Sequence, residues 1–191
     1  FIQALITTGT PFLFLTNNSC FTPSQLQEKL AAMGIAVSHQ QFYSSALAMA
    51  TWLEGEGAQR VYALGEEGLF SALAEKDIAT SETDVTHVVV GLDRSITYEK
   101  LKVAARLITS GARFVATNAD PTIPVEDGLA PGCGFLLGAL QAVTGQAPFV
   151  IGKPRPVIYE GAARRLRTVR MPVRPAQFKE SSKTIAVSAI A

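Results

Sequence analysis

Apolar and polar positions along the chain follow two rhythms that take turns. Short unbroken apolar runs read as strands buried on both faces: FLFL at 12–15, RVYAL at 60–64, HVVVG at 87–91, RFVAT at 113–117 and FVIG at 149–152. Between them the apolar residues recur at helical spacing. TPSQLQEKLAAMG (22–34) has Thr22 as a cap, Pro23 in the first turn, Gln25 to complete a capping box and Gly34 as a stop. SHQQFYSSALAMATWLEG (38–55) repeats the device with Ser38, Gln41 and Gly55. Its Phe42, Ala46, Met49 and Leu53 share a helical face, which predicts one helix there. GEEGLFSALAEK, the Thr97-capped TYEKLKVAARLITSG, FLLGALQAVTG and the segment after Pro156 predict the remaining helices, whereas NADPTIPVEDGLAPGCG (118–134) reads as irregular.

Strands alternating with helices imply parallel sheets with helices on their faces. Ligands gather at the carboxyl ends of such strands. Three polar spots fall on that edge. Thr16, Asn17 and Asn18 follow FLFL and offer neutral donors suited to an anion such as phosphate; a plain turn also accounts for them. Gly152, Lys153 and Pro154 end FVI and aim one positive charge at the same edge, or form a loop with a solvated lysine. TNADPTIP (117–124) places Asn118 and Asp120 within reach of a polar substrate, or starts an ordinary turn at Asp120-Pro121.

The 191 residues are 48% hydrophobic and 17% charged, enough for one good core or two small ones. No apolar run approaches the roughly 20 residues of a membrane span, and no basic-then-apolar leader is present, so a cytoplasmic location is expected. Cys20 and Cys133 lack metal spacing and read as reduced thiols. GEEG and GCG do not match a nucleotide-binding loop, and His39 and His87 have no partner ligands at metal spacing; Trp52 reads as helix core. Charge is uneven. Residues 1–163 carry 10 Lys/Arg against 15 Asp/Glu, a balance of −5, whereas 164–191 carry 7 against 1, a balance of +6.

Five segments in order, FLFLTNNS, VVVGLDRSITYEKL, ATNADPTIP, PGCGFLLGALQAVTG and VIGKPRP, resemble the haloacid dehalogenase superfamily. The likeness is to its class IIA phosphatases: the NagD-like, 4-nitrophenylphosphatase and phosphoglycolate phosphatase group. It covers about residues 1–166. It implies an α/β fold with a three-layer Rossmann-like core, incomplete here, and an inserted α/β cap of the C2 type. Residues 1–38 and 145–167 would be pieces of the core, 39–144 the cap, and 168–191 an unmatched basic tail. Thr16 would hydrogen-bond the transferred phosphoryl group and Lys153 would stabilise its negative charge, both in catalytic roles. Asn17 and Asn18 would help hold the phosphate and the nearby loop. Asn118, Asp120 and Ile123 would face the leaving group; some relatives carry a histidine where Ile123 stands.

The resemblance further implies phosphoaspartate chemistry with Mg²⁺. Its Asp-x-Asp pair belongs to a strand upstream of FIQAL, and its Gly-Asp metal motif follows the lysine. Neither is in this sequence: residues 1–27 contain no Asp or Glu, and only Glu160 and Glu180 follow Lys153. The chain also starts with Phe. It is therefore expected to be a fragment, inactive alone, of a phosphatase acting on a small phosphomonoester: phosphoglycolate, a sugar or nucleotide phosphate, or an aryl phosphate. A shifted reading frame or broken gene would produce the basic tail; its rival is a real tail contacting nucleic acid, which no aromatic or motif pattern supports. The expected partners are a small phosphorylated substrate and a second copy through the cap, with no membrane. The rival function is a non-catalytic phosphate-binding or cap-mediated interaction module.

Overall fold

The computed structural model describes residues 1–167 and the strand Ile185–Val187; the rest of the basic tail expected at 168–191 lies outside the described residues. The chain opens with α1 (Ile2–Thr8) and β1 (Phe12–Thr16). All five β1 residues are buried. Phe12 and Phe14 face one apolar cluster with Leu5, Leu26 and Leu30, while Leu13 and Leu15 face another, so the run FLFL is apolar throughout because both faces are covered. Then comes α2 (Pro23–Ala32), whose Thr22–Gln25 capping box forms as the sequence predicts.

The single helix expected over 38–55 is three elements. Ser38 and Gln41 do form a capping box, but around one 3₁₀ turn, His39–Gln41. Phe42–Ser44 is an extended strand, β2, paired in parallel with β1 at Phe14↔Phe42. Only then does α3 (Ser45–Gly55) begin, capped by Ser44. Tertiary packing overrides the local rhythm: Phe42 stacks on Phe14, with ring centroids 5.0 Å apart, instead of joining the face of Met49 and Leu53.

The chain continues through β3 (Arg60–Leu64), α4 (Glu67–Ala74), β4 (Ala79–Thr80), β5 (His87–Val90), α5 (Tyr98–Thr109) and β6 (Arg113–Ala116). The stretch expected to be irregular forms an antiparallel hairpin, β7 (Thr122–Val125) with β8 (Gly128–Pro131), turning at Glu126-Asp127. The elements α6 (Cys133–Thr144), β9 (Phe149–Val150), α7 (Pro156–Leu166) and β10 (Ile185–Val187) complete it.

Among the described residues two parallel sheets result. The first has the order β10-β1-β2 and the second β4-β3-β5-β6-β9. Helices α1 and α2 cover one face of the first sheet and α3 and α7 the other, giving three layers. Two strands fall on the other side of the expected unit boundaries. β2, placed in the 39–144 insert, belongs to the first sheet, and β9, placed with the flanking pieces, extends the second by pairing with β6. Helix α3 lies between the sheets and is buried nearly all round. Its Ser-Ala-Leu-Ala-Met-Ala sequence is small enough for both sheets to approach, so Leu15, Val61, Val89 and Val115 share one continuous core with it.

Candidate functional site

Residues Thr16, Asn17, Asn18, Asn118, Asp120, Ile123 and Lys153, named above from three stretches of sequence, all line one cleft of about 820 Å³. It opens at the carboxyl ends of β1, β6 and β9, with the β7–β8 hairpin along one side.

Asn17 organises it. Its Oδ1 accepts the Lys153 backbone N–H at 2.8 Å, and its Nδ2 donates to the Lys153 carbonyl at 3.2 Å and to Asp120 Oδ2 at 3.0 Å. One amide therefore spans 136 residues of sequence to one partner and 103 to the other. Asp120 Oδ2 also accepts from Asn118 Nδ2 at 2.9 Å, and Asn118 Oδ1 accepts the Thr117 hydroxyl at 2.9 Å. Asn17 thus holds the lysine loop by its main chain and the Asp120 loop by its side chain. Asn18 shapes the turn after β1: its Oδ1 accepts the N–H groups of Cys20 and Phe21, at 3.0 and 3.1 Å, while its own N–H donates to Thr16 Oγ1. Both asparagines, expected to touch phosphate, are engaged through these side-chain atoms in building the wall.

Close approach demands a glycine at 152. A Cβ there would press on the Thr117 carbonyl and lie 2.7 Å from Asn17 Oδ1, breaking the contact that seats Lys153. Sequence reasoning missed Ser45. As the first residue of α3 it donates its hydroxyl to the Asn17 carbonyl at 2.7 Å, and no local pattern announces a partner 28 residues away. It also missed the bidentate pair of Arg94 with Glu66 at the far wall. That contact holds the Glu66 carboxyl below its ordinary range and the Arg94 guanidinium above its own. Burial pushes the thiols of Cys20 and Cys133 up to about 12, so both are protonated at neutral pH.

The described residues do not fit a metal ion. They contain no group of three His, Cys, Asp or Glu side chains that could hold one, and Asp120 is the single carboxylate lining the cleft. What the arrangement brings to one cleft is a buried strand-end hydroxyl, Thr16, and a lysine, Lys153, whose main chain is held by the Asn17 amide. No helix among the described residues is long and apolar enough to cross a membrane.

A cleft at the carboxyl edges of parallel strands, with the Lys153 loop held by the asparagine that follows Thr16, is the arrangement of an open α/β fold. The haloacid dehalogenase-like hydrolase family matches residues 1–79. The 5'-nucleotidase YutF of Bacillus subtilis is 42% identical over 88% of this chain and 66% of its own length. The acid sugar phosphatase of Staphylococcus haemolyticus is 42% identical over 84% of this chain and 62% of its own. A crystal structure of a single mutant of the thermostable NPPase of Geobacillus stearothermophilus superposes with a TM-score of 0.83 at 38% identity, covering 86% of this chain and 67% of that one. The chain belongs to the haloacid dehalogenase superfamily, in its NagD-like class IIA. It spans about two thirds of the length of the curated relatives it matches.

Proposed function

We propose that these residues are the phosphate-seating and substrate-enclosing part of a phosphatase that hydrolyses small phosphomonoesters. The observation that carries this is the Asn17 clamp, which sets Lys153 against the carboxyl end of β1 beside Thr16. In this reading the Thr16 hydroxyl donates to a phosphoryl oxygen and the Lys153 ammonium offsets its charge, a combination worth most in a cleft that excludes water. Asn118, Asp120 and Ile123 meet the group that leaves. The second sheet with its helices and hairpin serves as the cap, the unit expected over 39–144, with β2 on the core side and β9 on the cap side. The names of the relatives, a nucleotidase and an acid sugar phosphatase, support a nucleotide or sugar phosphate as substrate.

The parent reaction by family is Mg²⁺-dependent through a phosphoaspartate. The described residues supply neither an acidic metal set nor a carboxylate pair at the cleft, so no step of that chemistry is assigned to them. For these 191 residues we propose binding without turnover. Titration of inorganic phosphate followed by ³¹P NMR tests the binding: Lys153→Met weakens it at least tenfold, and equal affinity in the two proteins sinks the reading. Release of p-nitrophenol from p-nitrophenyl phosphate with Mg²⁺ tests the second part; catalytic turnover by the purified chain would overturn it.

A further inference from the structure

The cleft is much larger than a phosphate group, and its wall beyond Thr16 carries charge. Of its lining side chains Lys29, Arg94 and Lys153 are cationic and Asp120 alone is anionic. Arg94 is presented by a rigid loop between β5 and α5. Beneath it the buried Asp93 carboxylate accepts the N–H and hydroxyl of Ser95, each at 2.9 Å, and Lys100 Nζ at 2.9 Å. Glu66 then grips Arg94 from behind, outside the cleft lining. It accepts the Arg94 backbone N–H at 3.1 Å, Nε at 2.8 Å and Nη2 at 2.6 Å. Nη1 takes no part in that pairing. From α2, Lys29 reaches the same cleft with its ammonium 5.8 Å from the Phe21 ring centroid.

A guanidinium already fixed in one orientation loses little freedom when it meets a planar anion, and its remaining donors match a carboxylate or phosphate. We propose that Arg94, with Lys29, forms a subsite for a second anionic group on the substrate, at the end remote from the phosphoryl group. Preferred substrates then carry a carboxylate or a further phosphate on the leaving group. The proposal rests on the phosphate reading at the Thr16 and Lys153 end.

The test uses two pairs of compounds that differ only by a carboxylate in place of a hydroxymethyl group: 3-phosphoglycerate against glycerol 3-phosphate, and 6-phosphogluconate against sorbitol 6-phosphate. Calorimetric titration of the full 191-residue chain gives their affinities beside that of inorganic phosphate. In at least one pair the carboxylate member binds roughly three- to fivefold tighter, as expected for a charged hydrogen bond to an exposed guanidinium. The pair that shows it reports the span between the two ends. Arg94→Met erases the preference, and Lys29→Met lowers it by a smaller factor. Equal affinities in both pairs, or a preference that survives Arg94→Met, overturn the subsite alone. If neither phosphate nor any of the four compounds binds, the phosphate end fails and the subsite with it.

Discussion

The two edges of the second sheet bury polar side chains to the same depth and treat them oppositely. At the carboxyl edge Asn118 is 6% exposed, and both ends of its amide are bonded, to Thr117 and to Asp120. At the amino edge His87 is 4% exposed and only half satisfied. Its Nδ1 meets the Thr86 hydroxyl at 2.8 Å, while Nε2 has no partner among the described residues. Around His87 the contacts are packing contacts: the Trp52 ring stands edge-on at 5.7 Å, Phe149 lies 5.2 Å from Trp52, and Arg113 covers the indole at 5.1 Å. Buried polarity wired through Asp120 to Asn17, at the end of the other sheet's β1, makes a site. Buried polarity tolerated among aromatic rings makes a weak point in the core.

The largest effect should come from the wired edge. Asn17→Leu strands the Lys153 N–H and removes one donor from Asp120, which should cost about 3 kcal/mol of stability and abolish phosphate binding; urea unfolding and ³¹P NMR check both. Gly152→Ala forces a Cβ onto the Thr117 carbonyl, and about 2 kcal/mol with a parallel loss of phosphate affinity is expected from the same measurements. At the other edge the effect is one of pH. Burial, reinforced by Arg113, lowers the His87 pKa from its ordinary 6.5. Between the folded value and about 6.5 the unfolded chain therefore binds more protons than the folded one. Stability is level with respect to this group above that window and declines as pH falls through it. Thermal unfolding from pH 8 to pH 5 should show the decline, and His87→Phe should flatten it. The smallest change is Arg113→Ala, which removes a cation over Trp52 and a surface pair with Glu56, for about 0.5–1 kcal/mol. A loss as large as that of Asn17→Leu would dissolve the distinction between the two edges.

Much of this could be read from the chain. FLFL is a buried strand because both its faces are covered, and Thr22 with Gln25 caps α2 by a local rule that tertiary structure does not disturb. The site was legible as a set of residues: seven positions from three stretches meet in one cleft. Their engagement was not. Nothing near Asn17 announces that its amide will grip Lys153, and nothing near Ser45 announces its bond to the Asn17 carbonyl. The strand Phe42–Ser44 was hidden inside a helical rhythm, because the stacking of Phe42 on Phe14 lies outside any local window. The β7–β8 hairpin did leave a signal, Glu126-Asp127-Gly128 between two short runs, which the neighbouring prolines masked.

The reach of the Asn17 amide has a consequence for how the molecule assembles. Bonds that close loops of 103 and 136 residues are disfavoured until the strands at their ends are in place, because loop closure costs chain entropy that one hydrogen bond does not offset. The cleft is therefore expected to be completed late in folding, after the strands that carry its walls. A ligand that occupies it stabilises the whole fold by mass action and not one loop of it.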